Sequence, residues 1–246
     1  GKEAVIFNTV KRDYSDISFF GLIDEQEPGG AKEYLQDKLI QRVMENLDLK
    51  VKENEAVLRD VDLVNAFLSA SVTLNEDYKA LGSTGSVVYS VNLAARIGHE
   101  VKVFNFNLGD CRTLAKRGES WVQMSVDAKA ANEPFKSYVE QTGINEPLST
   151  VAAFGSQKES VITTPRVSCL TLDFQDKFCV AIAPNGIWNR LTSKQFGDLY
   201  NQQAGCNEED KLRNIISSVN SFSASNVSNR GNSTLLLVEY TGLVEV

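Results

Sequence analysis

Apolar positions along the chain keep two rhythms. The runs EAVIFNTV and ISFFGLID, near the start, are short, uninterrupted and rich in strand-forming residues. Over 31–49 the spacing changes: Tyr34, Leu35, Leu39, Ile40, Val43, Met44 and Leu47 recur every three or four residues, the apolar face of a helix. A second helix is predicted over 55–78, with Val57, Val61, Val64, Phe67, Leu68 and Val72 turned inward. The period then shortens to two. GSVVYSVNLAAR and HEVKVFNFNLG read as strands joined by the turn RIGH, and RTLAKRGESWVQMSVD as a hairpin turning at Arg117-Gly118. A weak helix over 130–141 ends near Gly143. Strands follow at RVSCLTLDF and KFCVAIA, helices at 193–203 and 208–221, and a last strand at NSTLLLVEY after the polar loop SFSASNVSNRG.

Strands outnumber helices, many are joined as hairpins, and the helices come in pairs. That order favours an antiparallel α+β sandwich over a doubly wound parallel sheet. No repeat and no long linker divides the chain, so residues 1–246 are read as a single domain.

With 42% hydrophobic and 23% charged residues among 246, the composition is that of a globular protein able to bury a core without staples. A net charge of -7 argues against nucleic-acid binding, which needs a basic surface. The four cysteines, Cys111, Cys169, Cys179 and Cys206, lie too far apart for the close pairs of a zinc site, and Cys169 and Cys179 sit in apolar runs as buried thiols. No apolar run is long enough for a membrane span, and no leader sequence is visible. Asn226 and Asn232 match the N-glycosylation pattern, but nothing else points to secretion. The expected setting is cytoplasmic, with the nucleus a second possibility.

One stretch carries candidate chemistry. In FFGLIDEQEPGG (residues 19–30) an apolar strand ends at Asp24, a loop Glu25-Gln26-Glu27-Pro28 follows, and a helix begins after Gly29 and Gly30. This stretch resembles the FFGVFDGHGG motif of the protein phosphatase 2C family, the metal-dependent serine/threonine phosphatases. Further blocks are similar to that family in the same order: LGSTGSVVYSV, FNLGDCRTLAKRGESWVQMSVD, ANEPFKSYVEQTG, LSTVAAFGS, CVAIAPNGIWNRLT and RGNSTLLLVEY. The resemblance covers nearly the whole chain. It implies a four-layer αββα sandwich, two antiparallel sheets flanked by helix pairs, with a binuclear metal cleft at one end. It also implies phosphoester hydrolysis by water held between two Mg²⁺ or Mn²⁺ ions, which sit about 3.5–4 Å apart in such sites.

Two dications in one cleft demand several carboxylates. By the resemblance Asp24 is the bridging aspartate, and Asp110 in GDCR is the acid that helps hold an extra ion. In KRDYSD, Asp16 keeps one acid, Ser15 replaces a glutamate ligand and Lys11 stands where a phosphate-binding arginine is usual. The family's aspartates become Asn185 and Asn189 in APNGIWN, Gly231 in RGNS and Ser156 at the end of AAFGS. The histidine of DGHGG is missing, and His99, the chain's single histidine, falls in a hairpin turn.

Asparagine offers a carbonyl oxygen but cancels no charge, and glycine offers no side chain, so a normal binuclear centre is not expected. Asp24 can instead cap the helix after Gly30, and Asp110 can bond its own loop backbone. Glu25 and Glu27 are exposed loop charges or replacement ligands; Trp188 packs the core; Gly82, Gly109 and Gly186 serve tight turns and close packing. The reading is a catalytically inactive relative, a pseudophosphatase without cofactor, which binds a protein partner such as a kinase or a phosphorylated protein. The surfaces expected to do so are Glu25, Gln26, Glu27 and Pro28 and the polar loop at 221–230. The alternative is a divergent phosphatase with weakly bound Mg or Mn held by Asp16, Asp24, Asp110 and Glu25 or Glu27. A third reading is a phosphopeptide or nucleotide receptor that uses Lys11 and Arg12.

Overall fold

A computed structural model describes residues 2–54, 57–142, 150–173, 176–222 and 234–240. The chain opens with a hairpin, β1 (Glu3–Lys11) and β2 (Asp16–Glu27), followed by helices α1 (Ala31–Glu53) and α2 (Asp60–Ala80). Next come β3 (Ser86–Ile97), β4 (Glu100–Leu108), β5 (Arg112–Arg117), β6 (Ser120–Gln123) and α3 (Phe135–Thr142). The second half holds β7 (Arg166–Asp173), β8 (Phe178–Ala183), α4 (Asn185–Trp188), α5 (Ser193–Gln202), α6 (Glu208–Phe222) and β9 (Leu236–Tyr240). Two antiparallel sheets result, ordered β1-β2-β3-β4-β7 and β6-β5-β8-β9.

Three apolar layers hold four structural ones together. Leu35, Leu39, Val43 and Leu47 of α1 and Leu63, Phe67 and Leu74 of α2 pack on Phe19, Ile23, Tyr89 and Val91 of the first sheet. Phe20, Leu22, Val101 and Val103 meet Ala115, Phe178, Val180 and Ile182 between the sheets. Ile187, Trp188, Phe196, Tyr200 and Ile215 cover the outer face of the second sheet. The αββα sandwich follows from strands that alternate between two buried faces, as β2 does with Phe19 and Ile23 on one side and Phe20 and Leu22 on the other.

Several expectations need correction. Helix α2 starts at Asp60, and Val57, Val61 and Val72 are exposed. The inward stripe is Leu63, Ala66, Phe67, Ala70, Leu74 and Tyr78, whose small alanines let the helix approach its neighbours closely. Glu25, Gln26 and Glu27 are not a loop; β2 runs through them, with a bulge between Glu25 and Glu27 in its pairing with β3. Helix α3 begins at Phe135, after the predicted start. The short helix α4 lies where only a loop motif was read. Cys169 is exposed because β7 is a sheet edge, whereas Cys179 is buried in β8. Gly143, Asn226, Gly231 and Asn232 lie outside the described residues, as does the polar loop beyond Phe222.

Candidate functional site

The β1–β2 hairpin sets the site by its register. Its turn pairs Lys11 with Asp16, and the antiparallel count then places Glu3 opposite Asp24. Asp24 is flanked on its other side by Val88 of β3. Asp110 follows the positive-φ Gly109 in the β4–β5 loop, and Asn185 opens α4 just after β8. The Asn185 side-chain amide donates from Nδ2 to Asp110 Oδ2 at 2.8 Å. A carboxylate can only accept, so the amide turns its NH₂ group toward Asp110. Nearby, the Lys129 ammonium donates to Asn189 Oδ1 at 2.6 Å. Arg112 is paired with the buried Asp127, with Nε to Oδ1 at 3.0 Å, and its guanidinium lies 5.1 Å from the Trp188 ring centre.

Electrostatics ties these groups together. Burial, reinforced by the charges of Glu3 and Asp110, pushes the Asp24 carboxyl up to about 7, against the pull of Lys2 and the Gln26 hydrogen bond. Burial also raises the Asp110 carboxyl, opposed by the Asn185 hydrogen bond and the Lys129 charge. The buried Cys111 thiol is raised by burial and then by Asp110, Asp24, Asp127 and Glu3, so it sits in the field of all four acids. Glu3 Oε1 and Asp110 Oδ1 are buried and have no hydrogen-bond partner among the described residues.

The Asp24 cap reading is overturned: α1 is preceded by Gly30 in the left-handed region, with no side-chain cap bond. Asp24 instead accepts from Gln26 Nε2 at 3.1 Å. Lys11, Ser15 and Asp16 are not part of the site either. Asp16 begins β2 and Asp24 lies eight residues on, about 27 Å along an extended strand. Ser15 donates to the Arg96 carbonyl at 3.1 Å, and Arg12 is bound to Asp48 at 2.9–3.1 Å. Cations that do act here are Lys2 on Asp24, Lys129 on Asp110 and Arg112 on Asp127. His99 sits in the β3–β4 turn. Glu27 accepts from Ser86 Oγ at 3.1 Å, and Pro28 is exposed. Gln26 and Glu27 line a depression of about 190 Å³ together with Ser156 and Lys158.

Sequence reading missed Glu3, Asp127 and Lys129. The signal for Glu3 was present in RDYS, a four-residue turn whose position alone determines which residue faces Asp24.

The protein phosphatase 2C family model matches residues 3–227. This chain belongs to the protein phosphatase 2C family. It is 24% identical over 233 residues to probable protein phosphatase 2C 4 of Paramecium tetraurelia, covering 82% of this chain and 76% of that protein. To probable protein phosphatase 2C 76 of Arabidopsis thaliana it is 25% identical over 189 residues, covering 70% of this chain but 41% of the relative's length. The fold is similar to a C. elegans sex-determining protein, with a TM-score of 0.65, 12% identity and coverage of 92% and 62% of the two chains. It is similar as well to the S. agalactiae serine/threonine phosphatase, with a TM-score of 0.56, 14% identity and coverage of 90% and 93%.

Family chemistry would place two dications in this cleft. Two features of the described residues bear on that pair. Among them no three Asp, Glu, His or Cys side chains gather closely enough to hold a metal ion. The neutral Asn185 also presents donor hydrogens where a charged oxygen would be needed.

Proposed function

We propose that this chain is a pseudophosphatase: a protein phosphatase 2C domain that has lost metal-dependent hydrolysis and works as a protein-binding adaptor or regulator in phosphorylation signalling. The observation that carries this reading is the Asn185–Asp110 hydrogen bond, in which an amide occupies one acid of the cleft with a donor group. Lys129, held at Asn189, adds a positive charge felt at Asp110 and further disfavours incoming cations. A fold outlives its chemistry when the site changes and the packing does not. The protein-binding surface expected to serve is the end of β2 at Glu25, Gln26 and Glu27, with the exposed Pro28 that follows it.

The test is calorimetric titration with Mn²⁺ followed by an aryl-phosphate assay. The expected result is no micromolar binding and no turnover. Asn185→Asp with Gly231→Asp should then raise Mn²⁺ affinity by restoring charge. Micromolar affinity in the unaltered chain, with turnover abolished by Asp24→Ala, would overturn the proposal. It would favour the second reading, a divergent phosphatase with a reduced site. The specific support for that reading is the pair of buried, unpartnered oxygens Glu3 Oε1 and Asp110 Oδ1 beside Asp24.

A further inference from the structure

Among the described residues strand β1 is an edge of the five-stranded sheet, and its nine residues carry charge only at the two ends, Glu3 and Lys11. Between them AVIFNTV contains no proline and no charged residue, two of the usual devices that blunt an edge. The backbone groups of alternate residues point in opposite directions along a strand. The Lys2 carbonyl accepts from Glu25 N on β2 at 2.9 Å, so the even-numbered positions face the hairpin partner. The odd-numbered positions Glu3, Val5, Phe7, Thr9 and Lys11 then aim their N–H and C=O groups outward. Two carbonyls agree: among the described residues Val5 O accepts a long 3.4 Å bond from the Gln36 side chain, and Lys11 O accepts from the Arg12 side chain at 3.1 Å.

The same odd positions place side chains on the inter-sheet face, since Phe7 pairs with Phe20 and Val5 with Leu22. The four-stranded sheet does not cover this margin. Phe7 is 72% and Val5 45% exposed, and Phe7 forms one wall of an apolar cavity of about 340 Å³ that reaches to Phe178 and Val238.

We propose that β1 pairs antiparallel with β1 of a second copy of this chain, about a twofold axis at Phe7. Charge complementarity selects this occupant. Phe7 is the middle residue of Glu3–Lys11, so self-pairing sets Glu3 of each copy opposite Lys11 of the other, Val5 opposite Thr9, and Phe7 opposite itself. Every one of these is an outward-facing position, the parity that an antiparallel ladder requires. The opposite edge, β7, also runs from a cation (Arg166) to an acid (Asp173), but its eight residues have no middle one. Matching its charges would therefore oppose outward-facing residues to inward-facing ones. Dimerisation would join the sheets of two molecules and bury the Phe7 margin as an isologous interface.

The experiment is sedimentation analysis of the full chain combined with cysteine cross-linking in a Cys169→Ser, Cys206→Ser background, which removes the exposed native thiols. The expected result is a dimer that Phe7→Cys locks covalently on mild oxidation, because hydrogen-bonded antiparallel partners lie about 5.5 Å apart between Cα atoms, within disulfide reach. Asn8→Cys, off the axis, should not cross-link. Thr9→Pro removes one outward N–H and is tolerated on an edge; it should convert the dimer to a folded monomer with unchanged circular dichroism. A monomer at every concentration up to about 100 µM would overturn the proposal. A dimer indifferent to Thr9→Pro, and not cross-linked in the Phe7→Cys variant, would do the same. So would an edge occupied instead by a different protein in material purified from its source.

Discussion

Asp24 concentrates the residue-scale physics of the cleft. Its carboxyl titrates at about 7 because it is buried and faces the like charges of Glu3 and Asp110, with Lys2 and Gln26 opposing them weakly. The native state therefore binds this proton more tightly than the unfolded chain does. The stability contribution is fully present below the ordinary carboxylate value and is lost as pH rises through about 7. Asp24→Asn carries no charge at any pH. It should be more stable than the unaltered chain at pH 8, by about 4 kcal/mol at most, and the difference should close below about pH 4. Urea unfolding of both proteins at several pH values checks the sign; a variant less stable than the parent at pH 8 would refute it. A second single-residue prediction concerns backbone contact. A Cβ on Gly85 would meet the Gly29 Cα at 2.7 Å and its nitrogen at 2.8 Å, where the end of β2 touches the start of β3. Gly85→Ala should cost about 1–3 kcal/mol, as overpacking does elsewhere, read as a lower thermal midpoint.

At the scale of elements, α2 separates propensity from packing. Counting strongly apolar residues selects Phe67, Val64 and Leu68, which the structure buries wholly or in part, but also Val61, Val72 and Val57 (ahead of the helix), which it leaves exposed; Leu63, Ala66, Ala70 and Leu74 are buried instead. The spacing of three and four was legible in both sets. Phe67, common to both sets, stacks on Phe106 at a centroid distance of 3.8 Å, and the small Ala66 and Ala70 beside it leave the room that puts the buried stripe on that side. Leu74→Ala should therefore cost about 2–5 kcal/mol, whereas Val61→Ala should stay within about 0.5 kcal/mol. Chemical denaturation of the two variants side by side measures the contrast. The hairpins were easier to read, because Arg117-Gly118 and the Gly98-His99 turn punctuate runs of strand-forming residues, and β3 to β6 lie where the pattern placed them. Strand β2 was cut short at Asp24 because Glu25 and Glu27 look like loop residues, yet both keep β-pairing with Val87 and Ser86.

Across the whole molecule, membership of the protein phosphatase 2C family was legible as ordered motifs, and the layered core agrees with it. Among the described residues no helix is long and apolar enough to cross a membrane. The site was legible only in part. Asp24, Asp110 and Asn185 were named from their motifs and do converge, while Lys11, Ser15 and Asp16 belong to the turn end of the β1–β2 hairpin. Aligning the first acidic motif by residue type pulled it toward KRDYSD, whereas hairpin register draws Glu3 to the cleft. The edge at β1 is also a property of the whole, since it depends on which strands end each sheet.

The order of apolar periods and turn residues by itself determined that this chain forms strands and paired helices of these approximate lengths, because alternation and capping act over a few neighbours. It also determined which acids the motifs lack, since charge is a property of composition. Only the tertiary structure decided which surviving acids meet, which helix face is buried and which strand is left at an edge. Those outcomes depend on register and on the space between layers, quantities that arise when distant segments pack and that no local pattern contains.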